Sequence, residues 1–293
     1  MPTVDIGIAC SSVQYPQWWT ELVSNLLQEQ QRGISIEHFF AVTSALPDYS
    51  KNNTVLNRPE YEAKRRASLT DSNRGEIIEC FLDGDSDWLW FIDDDTVPPM
   101  GALSHLLSLG RDFVAGLYFN PSPPYNPIAY IKRQDGLYNA FYGYAPGTLS
   151  QVDSVGMGCT LIHRSVFEKI LDAYVLFQRA TGSLVAVHKD DIYDTPGEYP
   201  FDMPNQYVEH GFLHTRLLEL TKGEKDDEDN RAFPFYSMEY SRTEDHHFCE
   251  MCARVDVRPW LDTNLTCGHI KPKEMTKDIY VEEWYKIRQE FQA

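Results

Sequence analysis

The chain has 293 residues, about twice the ~150 that serve as a guide for one domain, so one large α/β domain or two small ones fit its length. Hydrophobic residues at 42% and aromatics at 13%, with 17 Gly and 17 Pro, suffice for a sizeable core and exclude a collagenous, low-complexity or wholly disordered chain. The balance of 26 basic against 44 acidic residues leaves a formal charge of −18, a field that repels phosphate backbones and speaks against general nucleic-acid binding. Taken in order, Thr3 to Ala9 predicts a strand, with Val4, Ile6 and Ile8 alternating against polar or small neighbours. Pro16 suits an early helical position, and Trp18, Leu22, Leu26 and Leu27 recur at helical spacing until Gly33. Ile34 to Thr43 is a second strand, which completes a βαβ unit and implies a parallel sheet covered by helices.

Between Lys51 and Arg74 the charge reverses: Lys51, Arg58, Lys64, Arg65, Arg66 and Arg74 stand against Glu60, Glu62 and Asp71. This run is either a solvated basic helix face or a docking wall for a small anion such as a diphosphate. Asp71 or Ser72 caps a predicted helix with Ile77, Ile78, Phe81 and Leu82 on one face, ending at Gly84. Trp88 to Ile92 is apolar throughout, as a strand buried on both faces should be, and runs directly into Asp93, Asp94 and Asp95. Pro98 and Pro99 open another helix, closed by Gly110, before a strand at Phe113 to Leu117. Tyr118 to Gly147 reads as loops and a hairpin rich in proline and tyrosine. Gly156-Met157-Gly158-Cys159 then leads into a short apolar run and a helix from Arg164. The stretch 182–235 is acidic and irregular, an expected insertion. At the far end Tyr280, Trp284, Ile287 and Phe291 form one helical stripe. The expected division is a domain over 1–275 and a C-terminal amphipathic helix over 276–293.

No run of about 18 apolar residues occurs, and MPTVDIGIAC lacks a basic segment, apolar stretch and small-residue cleavage site. The expectation is no membrane span, no secretory signal and a cytoplasmic location. Six cysteines, Cys10, Cys80, Cys159, Cys249, Cys252 and Cys267, are too sparse for a disulfide scaffold.

Three carboxylates at the end of a buried strand lie where ligands bind in open α/β sheets, and a divalent cation relieves their repulsion most easily. Hard oxygen ligands suit Mg²⁺ or Mn²⁺, which also bridge phosphates. A second cluster, Glu244-Asp245-His246-His247, is followed some twenty residues later by Cys267-Gly268-His269. A carboxylate there can act as a general base, and a neutral imidazole can complete a metal shell. The same segment admits a rival: Cys249-x-x-Cys252 with Cys267-x-His269 has the ligand types and rough spacing of structural zinc.

The N-terminal βαβ, Ser72-Asn73-Arg74, WLWFIDDDTVPP, DFVAGLYF, VDSVGMGCTLIHRSVFEKI, TEDHHFC and CGHI together resemble GT-A glycosyltransferases of the family 2 type, which includes phage and bacterial enzymes. The resemblance implies a Rossmann-like nucleotide-diphospho-sugar transferase fold, with a mainly parallel sheet flanked by helices. It also implies transfer of a sugar from a nucleotide sugar, UDP-linked above all, to an acceptor hydroxyl. Asp93 and Asp95 would be the DxD pair, holding the metal with His269 as third ligand, and Asp94 would meet the ribose or sugar. Ala9 and Ser11 would meet the base and Arg74 the donor, while Gly156 and Gly158 would let backbone approach the sugar. Asp245 would be the base of an inverting reaction, with Glu244 as the competing assignment and retention still open. For a phage-encoded chain the location would be the host cytoplasm. The resemblance leaves the acceptor open: a glycan, a protein, a lipid-linked group or a modified nucleobase would each be compatible. Two other readings use the same residues: a nucleotidyltransferase and a non-catalytic carbohydrate-binding module.

Overall fold

The computed structural model describes residues 2–9, 16–42, 73–178, 184–193, 233–236 and 243–270. Ser11, the basic run before Asn73, most of the 182–235 stretch and the C-terminal stripe lie outside the described residues. The chain opens with β1 (Thr3–Ala9), α1 (Pro16–Gln31) and β2 (Ser35–Val42); α2 (73–83) precedes β3 (Trp88–Asp93), β4 (Thr96–Val97), α3 (Ala102–Ser108) and β5 (Phe113–Leu117). Short strands follow: β6 (Ala129–Lys132), β7 (Tyr138–Ala140), β8 (Leu149–Gln151), β9 (Ser154–Val155) and β10 (Cys159–His163). The remainder comprises α4 (Arg164–Ala173), β11 (Tyr174–Gln178), β12 (Leu184–His188), α5 (Lys189–Tyr193), α6 (Glu244–Arg254), β13 (Trp260–Thr266) and β14 (Gly268–His269).

Seven strands form one sheet in the order β2-β1-β3-β10-β5-β13-β8. β1 is parallel to both β2 and β3, and β13 is parallel to β5. β10 is antiparallel to β3 and β5, and β8 to β13, so five strands share one direction and two oppose it. The α/β class and the mostly parallel sheet agree with the sequence; the two reversed strands enter without a crossover helix before them, which is what a parallel neighbour would require.

Strand alternation sorts the apolar run onto both faces. Leu89 and Phe91 join a core with Ile77, Ile78 and Phe81 of α2, Phe167 of α4 and Phe248 of α6. Trp90 and Ile92 join Val4, Ile6 and Ile8 with Trp18 and Leu22 of α1 and Leu103 and Leu106 of α3. Each fully buried Leu, Ile or Phe contributes about 1.5–3 kcal/mol, so both faces are strongly held. The 182–235 stretch departs from expectation at its two ends. β12 pairs with β11, and Phe233, Phe235 and Tyr236 enter the first core, so these ends are built in rather than draped outside.

α1 fixes the segment that follows the aspartates. Trp18 Nε1 donates to the Thr96 carbonyl at 2.6 Å, and Asn25 Nδ2 donates to the Pro99 carbonyl at 2.9 Å. Helix α3 begins at Ala102 rather than at the prolines because Gly101 sits at φ 84°, in the left-handed region, with its N–H donated to Asn25 Oδ1. Arg164 anchors the other end of α2, donating to the carbonyls of Phe81 and Gly84 at 2.7 and 2.9 Å.

Candidate active site at the sheet edge

The register between β1 and β3 sets Ala9 beside Asp93 at the carboxyl end of the sheet. Asp93 N–H donates to the Gly158 carbonyl at 3.2 Å, which brings the loop before β10 to the same edge. His269 arrives from far along the chain because β14 pairs antiparallel with β4, His269 opposite Thr96, and Ile270 N–H donates to the Asp95 carbonyl at 2.7 Å. Glu244 and Asp245 form the first turn of α6, where the helix dipole favours negative charge and Thr243 serves as N-cap.

Arg74 is the hub. It is the second residue of α2, the unfavourable end for a cation, and only 3% exposed, so the placement needs compensation. Three carboxylates supply it: Nη1 donates to Asp245 Oδ1 at 2.5 Å and Glu244 Oε1 at 3.1 Å, and Nη2 donates to Asp93 at 2.9 and 3.3 Å. Its guanidinium also lies 5.7 Å from the Tyr236 ring centroid, a cation–π contact. Burial opposes the charge, but Asp245, Asp93 and Glu244 overcome it and hold Arg74 well above its ordinary range. With all groups ionised the cluster carries one positive and three negative charges. Burial, partly offset by Arg74, then combines with the repulsion of Glu244 and Asp93 to push Asp245 up to about 8.

Asp95 belongs to a different arrangement. Its Oδ2 lies 3.1 Å from His269 Nε2, and His269 Nδ1 is 2.7 Å from the Phe119 carbonyl, which fixes the ring. Burial alone would lower the His269 pKa, yet the Asp95 and Phe119 hydrogen bonds raise it. Asp93, expected to join this pair, is turned to Arg74 instead, and among the described residues no three His, Cys, Asp or Glu side chains converge as a metal cluster. Asp94, between the two in sequence, is buried at 4% exposure.

The two glycines have another use. A Cβ on Gly156 would stand 2.2 Å from the Tyr118 hydroxyl and 2.6 Å from Ile128; one on Gly158 would stand 2.7 Å from Thr96 Oγ1 and 2.9 Å from the Tyr118 ring. Their missing side chains admit Tyr118, whose hydroxyl accepts from Gly158 N–H at 3.0 Å. Burial, then Asp93 and Asp245, raise the Tyr118 pKa. The zinc alternative is overturned. Cys249 and Cys252 are buried in the core on one side of the sheet, whereas Cys267 bonds Cys159 in the core on the other. Burial pushes the Cys249 thiol up to about 12.

Sequence reasoning missed Tyr118, Tyr236 and Trp18. The aromatic ending of DFVAGLYF was a visible sign of Tyr118, but nothing near Tyr236 marked it as Arg74's neighbour.

No protein-family model matches the chain, and no curated protein matches it. Solved structures similar to it include A197 from STIV, at 15% identity and TM-score 0.43 over 93% of this chain and 87% of that one. A glycosyltransferase involved in the glycosylation of the major capsid of PBCV-1 is similar at 11% identity and TM-score 0.30, over 74% and 78%. GalNAc-T7 with UDP, GalNAc and Mn²⁺ is similar at 11% identity and TM-score 0.42 over 96% of this chain but 46% of that one. Likeness this remote leaves the chemistry to the residues themselves. Among the described residues no helix is long and apolar enough to cross a membrane.

Proposed function

We propose that the chain is a glycosyltransferase that moves a sugar from a nucleotide diphosphate, UDP above all, to an acceptor hydroxyl with inversion. The observation that carries this reading is the meeting, at one sheet edge, of a part-exposed Asp95–His269 pair with a half-buried carboxylate, Asp245, whose proton affinity is raised. The first suits a diphosphate with its cation; the second suits a proton acceptor.

The donor set fits Mn²⁺ or Mg²⁺. Asp95 Oδ2 and His269 Nε2, 3.1 Å apart, have about the spacing of adjacent ligands of an octahedral ion bound at roughly 2.1 Å. Asp95 and His269 would hold the ion, with diphosphate oxygens and water supplying the other positions and Asp93 close by on Arg74. When bound, such an ion stabilises the charge that develops on a departing diphosphate. Arg74 positions Asp93 relative to Asp245, keeping the donor side and the base side of the site in fixed relation. Asp245 takes the acceptor proton at Oδ2 or Oδ1 as the hydroxyl attacks, and its raised pKa makes it a stronger acceptor than an exposed aspartate. Glu244 shares Arg74 and adds to the negative field that raises Asp245. Ala9 lies at the edge where the base of the donor would sit, next to Asp93.

The test is donor turnover. Purified protein is offered UDP-glucose, UDP-galactose, UDP-N-acetylglucosamine and GDP-mannose with Mn²⁺ or Mg²⁺, and nucleotide release is followed. Metal-dependent release from at least one donor, lost in Asp95→Ala, is expected; full turnover in EDTA, or none with any donor, removes the reading.

A further inference from the structure

Beside the acidic cluster lie two stretches of chain without charged side chains, joined by a hairpin that carries Lys132, Arg133 and Asp135. Residues 117–131 and 136–152 contain no Asp, Glu, Lys or Arg, although such residues make up 24% of the chain. Their surface presents Tyr125, 59% exposed, and Tyr142, 65% exposed. Tyr125 has φ 54°, in the left-handed region that a bulky side chain rarely adopts, while its N–H closes a turn onto the Ser122 carbonyl at 2.9 Å. Burial cannot account for the residue choice there, because the ring is largely in solvent; glycine or asparagine would hold the turn with less strain. The Tyr142 hydroxyl bonds Asn126 Oδ1, which ties the second exposed ring to the turn carrying the first.

This surface is continuous with both halves of the site. Phe119, whose carbonyl fixes His269, pairs with Pro127 across the base of the turn. On the other flank, Phe141 N–H donates to the Ala129 carbonyl at 2.8 Å, and the neighbouring Tyr130 is within the electrostatic influence of both Asp245 and Tyr142. We propose that Tyr125, Asn126 and Tyr142 form the acceptor platform and that the acceptor presents a neutral pyranose ring to it. The chemistry matches at each point. Tyrosine faces stack on the apolar C–H face of a sugar, the Asn126 amide can meet its hydroxyls, and the absence of charge suits a neutral ligand. The −18 balance of the whole chain disfavours an approaching nucleic acid at the same place. The acceptor role rests on the glycosyl-transfer reading.

Saturation-transfer NMR on the full chain tests it, with the methyl glycosides of glucose, galactose, mannose and N-acetylglucosamine as probes and adenosine and a serine-containing tetrapeptide as counter-probes. At least one glycoside should receive saturation, strongest at the protons of one ring face, and the signal should fall about fivefold in both Tyr142→Ala and Tyr125→Gly. Tyr125→Gly should melt at the same temperature or higher, because backbone strain is relieved and most of the lost ring surface is solvent-exposed. Four results overturn the platform: no glycoside signal in the unmodified protein, a signal that both variants keep, saturation of only adenosine or the peptide, or a lower melting temperature for Tyr125→Gly. Donor turnover fails separately: glycoside binding by a protein inert to all nucleotide sugars would overturn the acceptor role and the transferase reading together while leaving a sugar-binding surface.

Discussion

The two halves of the site solve opposite electrostatic problems. Around Arg74, one buried cation draws Asp93, Glu244 and Asp245 together, and the charges are satisfied within the protein. At Asp95 and His269 the carboxylate is 39% exposed in its side chain, and the pair is held mainly by backbone ladders beneath it. A buried charge network resists change and costs stability when one member is removed; a part-exposed pair on a rigid strand edge can exchange a partner with little effect on the fold. Under the proposed reading, folding and proton chemistry fall to one side and exchangeable binding to the other.

The sharpest way to break that comparison is at Arg74. Arg74→Met leaves three acidic side chains around an apolar replacement and should lower stability by about 3 kcal/mol, near the low end for a broken buried ion pair because Asp245 can take up a proton. Denaturant unfolding at two pH values measures it: the loss should shrink at pH 5 relative to pH 8, as protonation removes repulsion. A loss under about 0.5 kcal/mol would mean that the cluster does not hold the site together.

Asp245→Asn tests the proton side. The amide keeps the size and can still accept from Arg74 but cannot take the acceptor proton, so transfer should drop by about 10² or more while donor affinity is nearly constant. In the unmodified protein the transfer rate should rise with pH through about 8, because the carboxylate must be ionised to act and burial with Glu244 and Asp93 has raised it. That rise should vanish in the variant. If Glu244→Gln abolishes transfer instead and Asp245→Asn is near normal, the two roles are exchanged.

Much of this was legible before any coordinates, and the reasons differ by residue. Strand alternation and helical spacing report burial, so β1, β3, β5 and the apolar face of α2 followed from Val4, Trp88 to Ile92, Phe113 to Leu117 and Ile77 to Phe81. Asp93 to Asp95 stood out because carboxylates rarely end so apolar a run. Periodicity carries no information on strand direction, which is why the reversal of β10 and β8 had to be seen. Pairing across long separations is equally silent. Arg74 meets Asp245 from 171 positions away, and Cys267 chooses Cys159 over the nearer Cys252 because the sheet lies between. Glycines before β10 promised a close approach, and the structure shows Tyr118 packed where their side chains would be.

Asp95→Ala probes the exchangeable side and should change stability by less than about 0.5 kcal/mol, because its side chain is part-exposed and leaves His269 still bonded to Phe119. Calorimetric titration with Mn²⁺ and UDP should show donor binding in the unmodified protein and about tenfold or greater weakening in the variant. Equal affinity in both proteins would remove Asp95 from the metal.

The smallest effect separates two neighbours on α6. His246 has Nδ1 2.7 Å from Ser154 Oγ and stacks on Tyr138 at 3.9 Å between centroids, and burial, against the pull of Glu250, lowers its pKa to about 4. Between pH 4 and 6.5 the unfolded chain therefore binds a proton that the folded one refuses, and stability from this residue rises with pH across that window. Asp245 acts with the opposite sign: its folded pKa of about 8 exceeds the ordinary carboxylate value, so the folded state holds the extra proton and stability declines as pH rises toward 8. The two slopes oppose each other between pH 4 and 6.5, and above 6.5 only the decline from Asp245 remains, up to about pH 8. His246→Phe, which can keep the stack on Tyr138 but leaves Ser154 without its partner, should lower stability modestly and change the acid slope, so that stability falls with pH from about 4 onward instead of only above 6.5. Chemical denaturation at half-unit steps from pH 4 to 9 decides it: an unchanged acid slope in His246→Phe would place the acid sensitivity elsewhere, and a slope that disappears on the alkaline side instead would mean that Asp245, not His246, had been disturbed.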